Sequence, residues 1–343
     1  MAHLKLSFFA GEEWEKAYVG KHKELSGADV EVTFFDHILD AAHIPEDTSA
    51  DAISVFVDSK IDSAVIEKFP NLKLIATRST GFDHIDLASA KARNIVVSTV
   101  PGYGANTVAE HAFGLLLALS KRIYDGYEQV RETGSFDPHA LRGFDLLGKT
   151  LGVIGTGRIG RHSVQIGKGF GMKVIASDAF PDQAYAKEVG IEYKSLPEVL
   201  SESDIITIHV PYMKETHHLI NRETLSHAKA GMILINTSRG AVVETAALLE
   251  ALKSGQVAGA GLDVLEEEGA IKDELNFLIS GDPQCENLKT VLSNHVLIDL
   301  PNVIVTPHSA FNTKEALERI MDTTIGNIVG FASGESKNLA ESA

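Results

Sequence analysis

"LGVIGTGRIG", residues 151–160, decides the fold. An apolar run ends on Gly155, Gly157 and Gly160 in the spacing GxGxxG, and a helical pattern opens near Ile159. In a strand–turn–helix that holds a dinucleotide, each glycine has its own part. Gly155 allows the tight turn, Gly157 lets the backbone approach a pyrophosphate, and Gly160 lets the helix pack on its strand. The helix N-terminus adds N–H groups and partial positive charge for the phosphates. Three glycines alone are a weak signal. The strand before them, the helix after them, and Asp178 at the end of the next strand make it specific. Asp178 can accept from both hydroxyls of an adenosine ribose and would repel a 2′-phosphate, so the expected cofactor is NAD (as NADH) rather than NADP.

Five further strand patterns share that sheet with "TLGVIG" (150–155). They are "KVIASD" (173–178), "DIITIHV" (204–210), "MILINT" (232–237), "VAGAGLDV" (257–264) and "NVIVTP" (302–307). Helices are expected to start near Ile159, Asp182, Asn221 and Glu244. Six strands with crossover helices predict a doubly wound parallel sheet. An earlier series, 4–9, 30–35, 52–57, 72–77 and 95–99, predicts a second parallel sheet. "NTVAEHAFGLLLALSKR" (106–122) predicts a long helix capped by Asn106 or Thr107 and buried between domains or subunits. The helical tail 313–333 is expected to return to the first domain. The expected architecture is therefore α/β, with two Rossmann-like or flavodoxin-like domains and an active site in the cleft between them. Residues 1–103 with 308–343 form the substrate-binding domain, and 104–307 form the NAD domain. The stretch 266–301 is poorly patterned and predicts a functional or partly helical connection.

Bulk properties exclude several function classes. A formal charge of −16 over 343 residues argues against nucleic acid, whose phosphates require a basic face. It also means that a small anion needs local positive charge to be bound. The longest apolar run, "FGLLLAL" (113–119), is too short for a membrane span, and the start of the chain lacks a secretory pattern. One cysteine, Cys285, excludes an internal disulfide and fits the cytoplasm. No HExxH and no cysteine pair suggests a metal, and His217-His218 reads as surface histidines. There is no GxSxG elbow.

Ligands of open α/β sheets bind beyond the carboxyl ends of the strands. Three consecutive strands end on polar groups: Arg239 in "ILINTSRG", Asp263 and Glu266–Glu268 in "GAGLDVLEEE", and His308 in "VIVTPHSAF". Arginine can bind a carboxylate bidentately and polarise the neighbouring carbonyl. Histidine can protonate a developing alkoxide, and a carboxylate beside it keeps it protonated. Singly, these residues could be a loop bridge, a solvated acidic face and a turn. Together they suit reduction of a 2-keto acid.

"VIGTGRIG", "NTSRGAVV", "GAGLDVLEEE" and "TPHSAF", in this order over essentially the whole chain, resemble the D-isomer-specific 2-hydroxyacid dehydrogenases. "STGFDHIDL" and "VPGYGANTVAEHAFGLLLALSKR" resemble the D-lactate branch of that family. The resemblance implies Arg239, Glu268 and His308 as the catalytic set; the DVxExE pattern selects Glu268, with Glu267 as the alternative. Gly269 follows where many members carry proline. It implies cofactor contacts at Arg158, Ile159, Val210, Pro211, Thr216, Thr237, Ser238 and Asp263 beside the glycines and Asp178. It implies substrate contacts at Thr80, Gly81, Tyr103 and Phe311. The expected substrates are pyruvate and D-lactate, and the expected assembly is a homodimer or higher homo-oligomer. A sister reductase of glyoxylate, hydroxypyruvate or a branched 2-keto acid is the alternative, and an NAD-sensing, corepressor-like regulator is a further one.

Overall fold

The computed structural model describes residues 3–22, 25, 27–268 and 285–340. The chain forms two units, Met1–Tyr103 with Thr313–Ala343, and Gly104–Asn312.

The first unit begins with β1 (Leu4–Phe9), α1 (Glu13–Lys21), β2 (Val30–Phe35) and β3 (Ala52–Val55). It continues through α2 (Ser63–Lys68), β4 (Leu74–Thr77), α3 (Leu87–Ala92) and β5 (Val96–Ser98). Its sheet runs β2-β1-β3-β4-β5, all pairs parallel, which is the flavodoxin-like order. β3 and β4 are buried at every position because helices cover both faces of the sheet. One face packs Phe9, Ile53, Ile75 and Phe69; the other packs Leu4, Leu6 and Phe8 with Met321, Ile325 and Ile328. The last three residues belong to the C-terminal helix Lys314–Ala332, capped by the Thr313 hydroxyl. Asn327 of that helix donates to the Thr99 carbonyl at 2.8 Å, so the tail completes this unit.

The second unit opens with α4 (Ala105–Ser120) and α5 (Ile123–Thr133), then β6 (Thr150–Ile154) and α6 (Arg158–Gly169). β7 (Lys173–Ser177), α7 (Gln183–Val189), β8 (Glu192–Tyr193), α8 (Leu196–Glu202) and β9 (Ile205–Ile208) follow. Then come α9 (Arg222–Ser226), β10 (Met232–Asn236), α10 (Thr245–Ser254), β11 (Val257–Leu262), α11 (Cys285–Ile298) and β12 (Val303–Val305). The parallel sheet runs β12-β11-β10-β9-β6-β7-β8, a doubly wound order with its switch between β6 and β9.

Four expectations are corrected. Among the described residues the sheet has seven strands, not six, because the two-residue β8 is too short to leave a pattern in sequence. The long helix starts under Gly104, so Asn106 and Thr107 lie in its first turn and do not cap it. It stops at Ser120, because Arg122 takes a left-handed φ of 50°. The chain leaves the second unit after Asn312 rather than 307, because Asp263 holds the backbone N–H groups of Ser309 and Ala310, each at 2.9 Å. The 266–301 connection contains α11. Gly269 and the Cys285 side chain lie outside the described residues.

Candidate active site

The site grows from the end of β10. All five residues of the strand are buried, as a central parallel strand requires. Asn236 ends it by folding its side chain onto the following turn: its Oδ1 accepts from Ser238 N at 3.0 Å and its Nδ2 donates to Arg239 O at 3.0 Å. The Ser238 hydroxyl donates to the Val210 carbonyl, tying this turn to the loop after β9. Arg239 is thereby presented half-buried beyond the sheet, with Nη1 donating to Ser238 O at 2.9 Å. At Gly240 a Cβ would lie 2.0 Å from the Leu265 carbonyl, so the arginine turn rests directly on the loop after β11.

That loop begins with Asp263, which is 1% exposed. Its carboxylate accepts from the Thr306 hydroxyl at 2.5 Å and from the backbone of Ser309 and Ala310, and His111 Nε2 lies 3.4 Å away. Burial opposes its ionisation. Hydrogen bonds from His111, Thr306, Ala310 and Ser309 outweigh that cost and hold the carboxyl below its ordinary value. Both oxygens of Asp263 are thus engaged in shaping the turn that carries His308. His111 and Thr306 carry almost no signal in the sequence beyond a lone imidazole inside the apolar run "AEHAFGLLLAL".

His308 has a left-handed φ of 53° and donates its backbone N–H to Asp263 O at 2.8 Å. Its Nδ1 lies 2.7 Å from Oε1 of Glu268. A carboxylate only accepts, so Nδ1 carries the proton and Nε2 is the nitrogen left for a substrate oxygen. Glu268 is therefore the glutamate that meets the imidazole, while Glu267 forms the left-handed corner of the turn at φ 51°. Glu266 takes a separate partner. Its Oε1 lies 2.6 Å from His218 Nε2 and its Oε2 accepts from Thr245 N at 2.6 Å. His218 is therefore a paired residue, not the solvated surface histidine expected from sequence.

The residues expected to hold NAD fit that group. Gly155 has φ 90°, and a Cβ there would meet the His209 carbonyl at 2.9 Å; a Cβ at Gly160 would lie 1.9 Å from Gly155 O. Around Gly157 nothing stands within 4 Å of the Cβ position, which leaves room for a pyrophosphate at an α6 N-terminus without a side-chain cap. Arg158 is exposed there and Ile159 is half-buried. Asp178 accepts from Thr156 N at 2.6 Å, Thr156 Oγ1 at 2.8 Å and Phe180 N at 2.8 Å. Burial raises its pKa, but those bonds prevail and keep it an anion. The Thr237 hydroxyl is buried without a hydrogen-bond partner among the described residues, ready for a polar ligand atom. Thr216 differs: its hydroxyl donates to Pro211 O at 2.7 Å and accepts from Met213 N at 2.8 Å, bracing its own loop.

Phe311 lies in this unit, half-buried beyond His308. Thr80, Gly81 and Tyr103 lie in the first unit, after β4 and β5. There the Thr80 hydroxyl donates to Val100 O and the Ser79 hydroxyl to Gly81 O, each at 2.6 Å. Among the described residues no group of three or more His, Cys, Asp or Glu is placed to hold a metal ion, and no helix is long and apolar enough to cross a membrane.

Comparison with known proteins converges on one family. Residues 113–310 match the NAD-binding domain of the D-isomer specific 2-hydroxyacid dehydrogenases. The chain is 36% identical over 337 residues to D-lactate dehydrogenase of Escherichia coli K12, covering 97% of this chain and 98% of that one. It is 40% identical over 292 residues to glyoxylate reductase of Thermococcus litoralis, covering 83% and 81%. Among solved structures, D-lactate dehydrogenase from Aquifex aeolicus, complexed with NAD and lactic acid, superposes with a TM-score of 0.84 at 38% identity over 96% of both chains.

Proposed function

The chain belongs to the D-isomer-specific 2-hydroxyacid dehydrogenases, NAD-dependent oxidoreductases of CH–OH groups, and on that premise we propose that it reduces pyruvate to D-lactate. The observation that carries this reading is the His308–Glu268 pair at 2.7 Å, formed between the ends of β12 and β11, with Arg239 at the end of β10 beside β11. When bound, NADH would supply the hydride for reduction of the keto acid at C2. Arg239 binds the substrate carboxylate through its planar fork and polarises the carbonyl. His308 delivers the proton from Nε2 to the oxygen, and Glu268 stabilises the imidazolium before transfer. We assign Thr80, Gly81 and Tyr103 of the first unit, with Phe311, to substrate binding. Gly155, Gly157, Arg158, Ile159, Gly160, Asp178, Val210, Pro211, Thr237 and Ser238 are assigned to the cofactor; Thr216 and Asp263 support it by holding their loops.

Full-length similarity to D-lactate dehydrogenase, first unit included, favours pyruvate. The 40% identity to a glyoxylate reductase supports a second reading, in which glyoxylate is the substrate. Oxidation of NADH with pyruvate, glyoxylate, hydroxypyruvate and branched 2-keto acids, with chiral analysis of the product, separates them. The highest kcat/KM is expected for pyruvate with D-lactate formed; a higher value for glyoxylate, or an L product, overturns the assignment.

We also assign a homodimer or higher homo-oligomer, in the cytoplasm. Ile123, Tyr124 and Tyr127 of α5 are each more than half exposed, and Phe136 and Leu147 nearby in sequence are 86% and 77% exposed. These exposed apolar side chains support a subunit contact on this part of the unit. Light scattering of the eluted protein tests it, with a monomer as the overturning result. The cytoplasmic assignment rests on the single cysteine.

A further inference from the structure

His218 joins the two loops that carry Arg239 and Glu268. On one side its backbone N–H donates to Ala241 O at 2.8 Å, and Ile220 N donates to Val242 O at 3.0 Å. The Ile220 carbonyl accepts in turn from Glu244 N at 2.8 Å, so 218–220 is zipped along the segment that follows Arg239. On the other side the imidazole Nε2 meets Glu266 at 2.6 Å. The ring has little freedom: it stacks on His217 with centroids 3.9 Å apart, and its residue holds a left-handed φ of 50°. Glu266 is 13% exposed at the side chain and also accepts from the first N–H of α10, while its carbonyl accepts from Asn294 at 2.7 Å. Glu268, two residues on, is held to the same turn, its Oε2 accepting from Leu265 N at 3.4 Å. The tight Gly240–Leu265 contact closes the ring of interactions.

We propose that His218 is a positioning residue: through Glu266 it fixes the Glu266–Glu268 turn against the Arg239–Gly240 backbone and so sets Glu268 on His308. This rests on the reading of Glu268 and His308 as the proton-transfer pair. His218 touches neither substrate nor cofactor in this scheme. A half-buried carboxylate that loses its donor re-forms its hydrogen bonds elsewhere, and the turn moves with it. Misplacement of a catalytic group by about 1 Å is enough to cost up to about 100-fold in rate.

The chemistry of the contact dictates the variants. The bond uses Nε2, whose position the amide nitrogen of glutamine reaches and that of asparagine does not. The imidazole N–H signal of His308, identified by its loss in His308→Asn, is followed by NMR in the full chain, alongside kcat and KM. His218→Ala and His218→Asn are expected to move that signal toward its place in Glu268→Gln, and His218→Gln to leave it near wild type. With pyruvate, kcat is expected to fall by up to about 100-fold in the first two variants and to recover in the third, with KM for NADH unchanged. An unmoved His308 signal in both His218→Ala and His218→Asn overturns the inference, whatever the rates. Should the wild-type protein turn over no 2-keto acid, the functional reading falls by itself, and the NMR comparison still decides whether His218 sets the Glu268–His308 pair.

Discussion

Gly240 and Leu265 are in contact so close that a Cβ on Gly240 would stand 2.0 Å from the Leu265 carbonyl. Backbone lies on backbone here, with no flexible side chain to give way. The glycine is required by this approach, because its φ is not in the left-handed region. Gly240→Ala must therefore separate the Arg239 turn from the Glu266–Glu268 turn. We expect kcat/KM for the keto acid to fall by at least about 100-fold, with a lowered melting temperature and a preserved far-ultraviolet spectrum. Wild-type kinetics in Gly240→Ala would show that the two turns need not touch.

The Glu268–His308 pair predicts a change of rate. The carboxylate at 2.7 Å fixes the tautomer and orientation of the imidazole that donates in reduction. Glu268→Gln keeps the shape and removes the charge. kcat for pyruvate reduction should fall by up to about 100-fold, with a smaller effect on KM. Glu267→Gln should leave kcat in place, because Glu267 forms the corner of the turn. The reverse pattern would make Glu267 the partner.

Arg239→Lys tests the fork. Lysine keeps one charge but loses the planar pair of donors that matches a carboxylate. KM for pyruvate is expected to rise and kcat to fall together, since carboxylate binding and carbonyl polarisation are both lost, while KM for NADH stays within about twofold. Unchanged kinetics would make Arg239 a structural residue of its own turn, where it donates to Ser238 O.

These residues were unequally legible in the sequence. The strands of both sheets show as apolar runs because parallel strands are buried on both faces, and their polar ends mark where the sheets stop. Arg239, Asp263 and His308 stand out for that reason. β8 did not, being two residues long on a sheet edge. α8 was missed although its signal is present: Ser195 and Glu198 form a capping box, with Pro197 in the first turn. The tie between His218 and Glu266 spans 48 positions and depends on two loops meeting beyond a sheet, so no local spacing announces it. The same holds for His111, whose partners Thr306 and Asp263 come from two other elements.

Asp178 predicts cofactor preference. Its carboxylate is held as an anion by Thr156 and Phe180 at the end of β7. Removing it in Asp178→Ala removes both the ribose acceptor and the repulsion of a 2′-phosphate. A charged hydrogen bond contributes roughly 1.5–3 kcal/mol, so KM for NADH should rise by about 10- to 100-fold, and NADPH should become a usable substrate. An unaltered NADH/NADPH ratio would place Asp178 outside the cofactor site, as a brace for the Thr156 turn alone.

His209 predicts a pH dependence of stability that is independent of catalysis. Its Nε2 lies between the hydroxyls of Ser163 at 2.8 Å and Thr207 at 2.9 Å, while Nδ1 is buried without a partner among the described residues. Part of the residue remains accessible, but the buried nitrogens decide the titration, and burial pushes the pKa down from 6.5 to about 3. The folded protein therefore keeps His209 neutral where the unfolded chain has already taken up a proton. As pH falls from about 6.5 towards about 3, the unfolded state binds one proton more at this position, and stability declines with it. The slope is about 1.4 kcal/mol per pH unit. His209→Gln retains a polar side chain and cannot titrate. Its unfolding free energy, measured by denaturant titration between pH 6.5 and 4.5, should lose that slope relative to wild type, whatever its absolute stability. Parallel curves for the two proteins would mean that His209 is protonated in the folded state as readily as in the unfolded one.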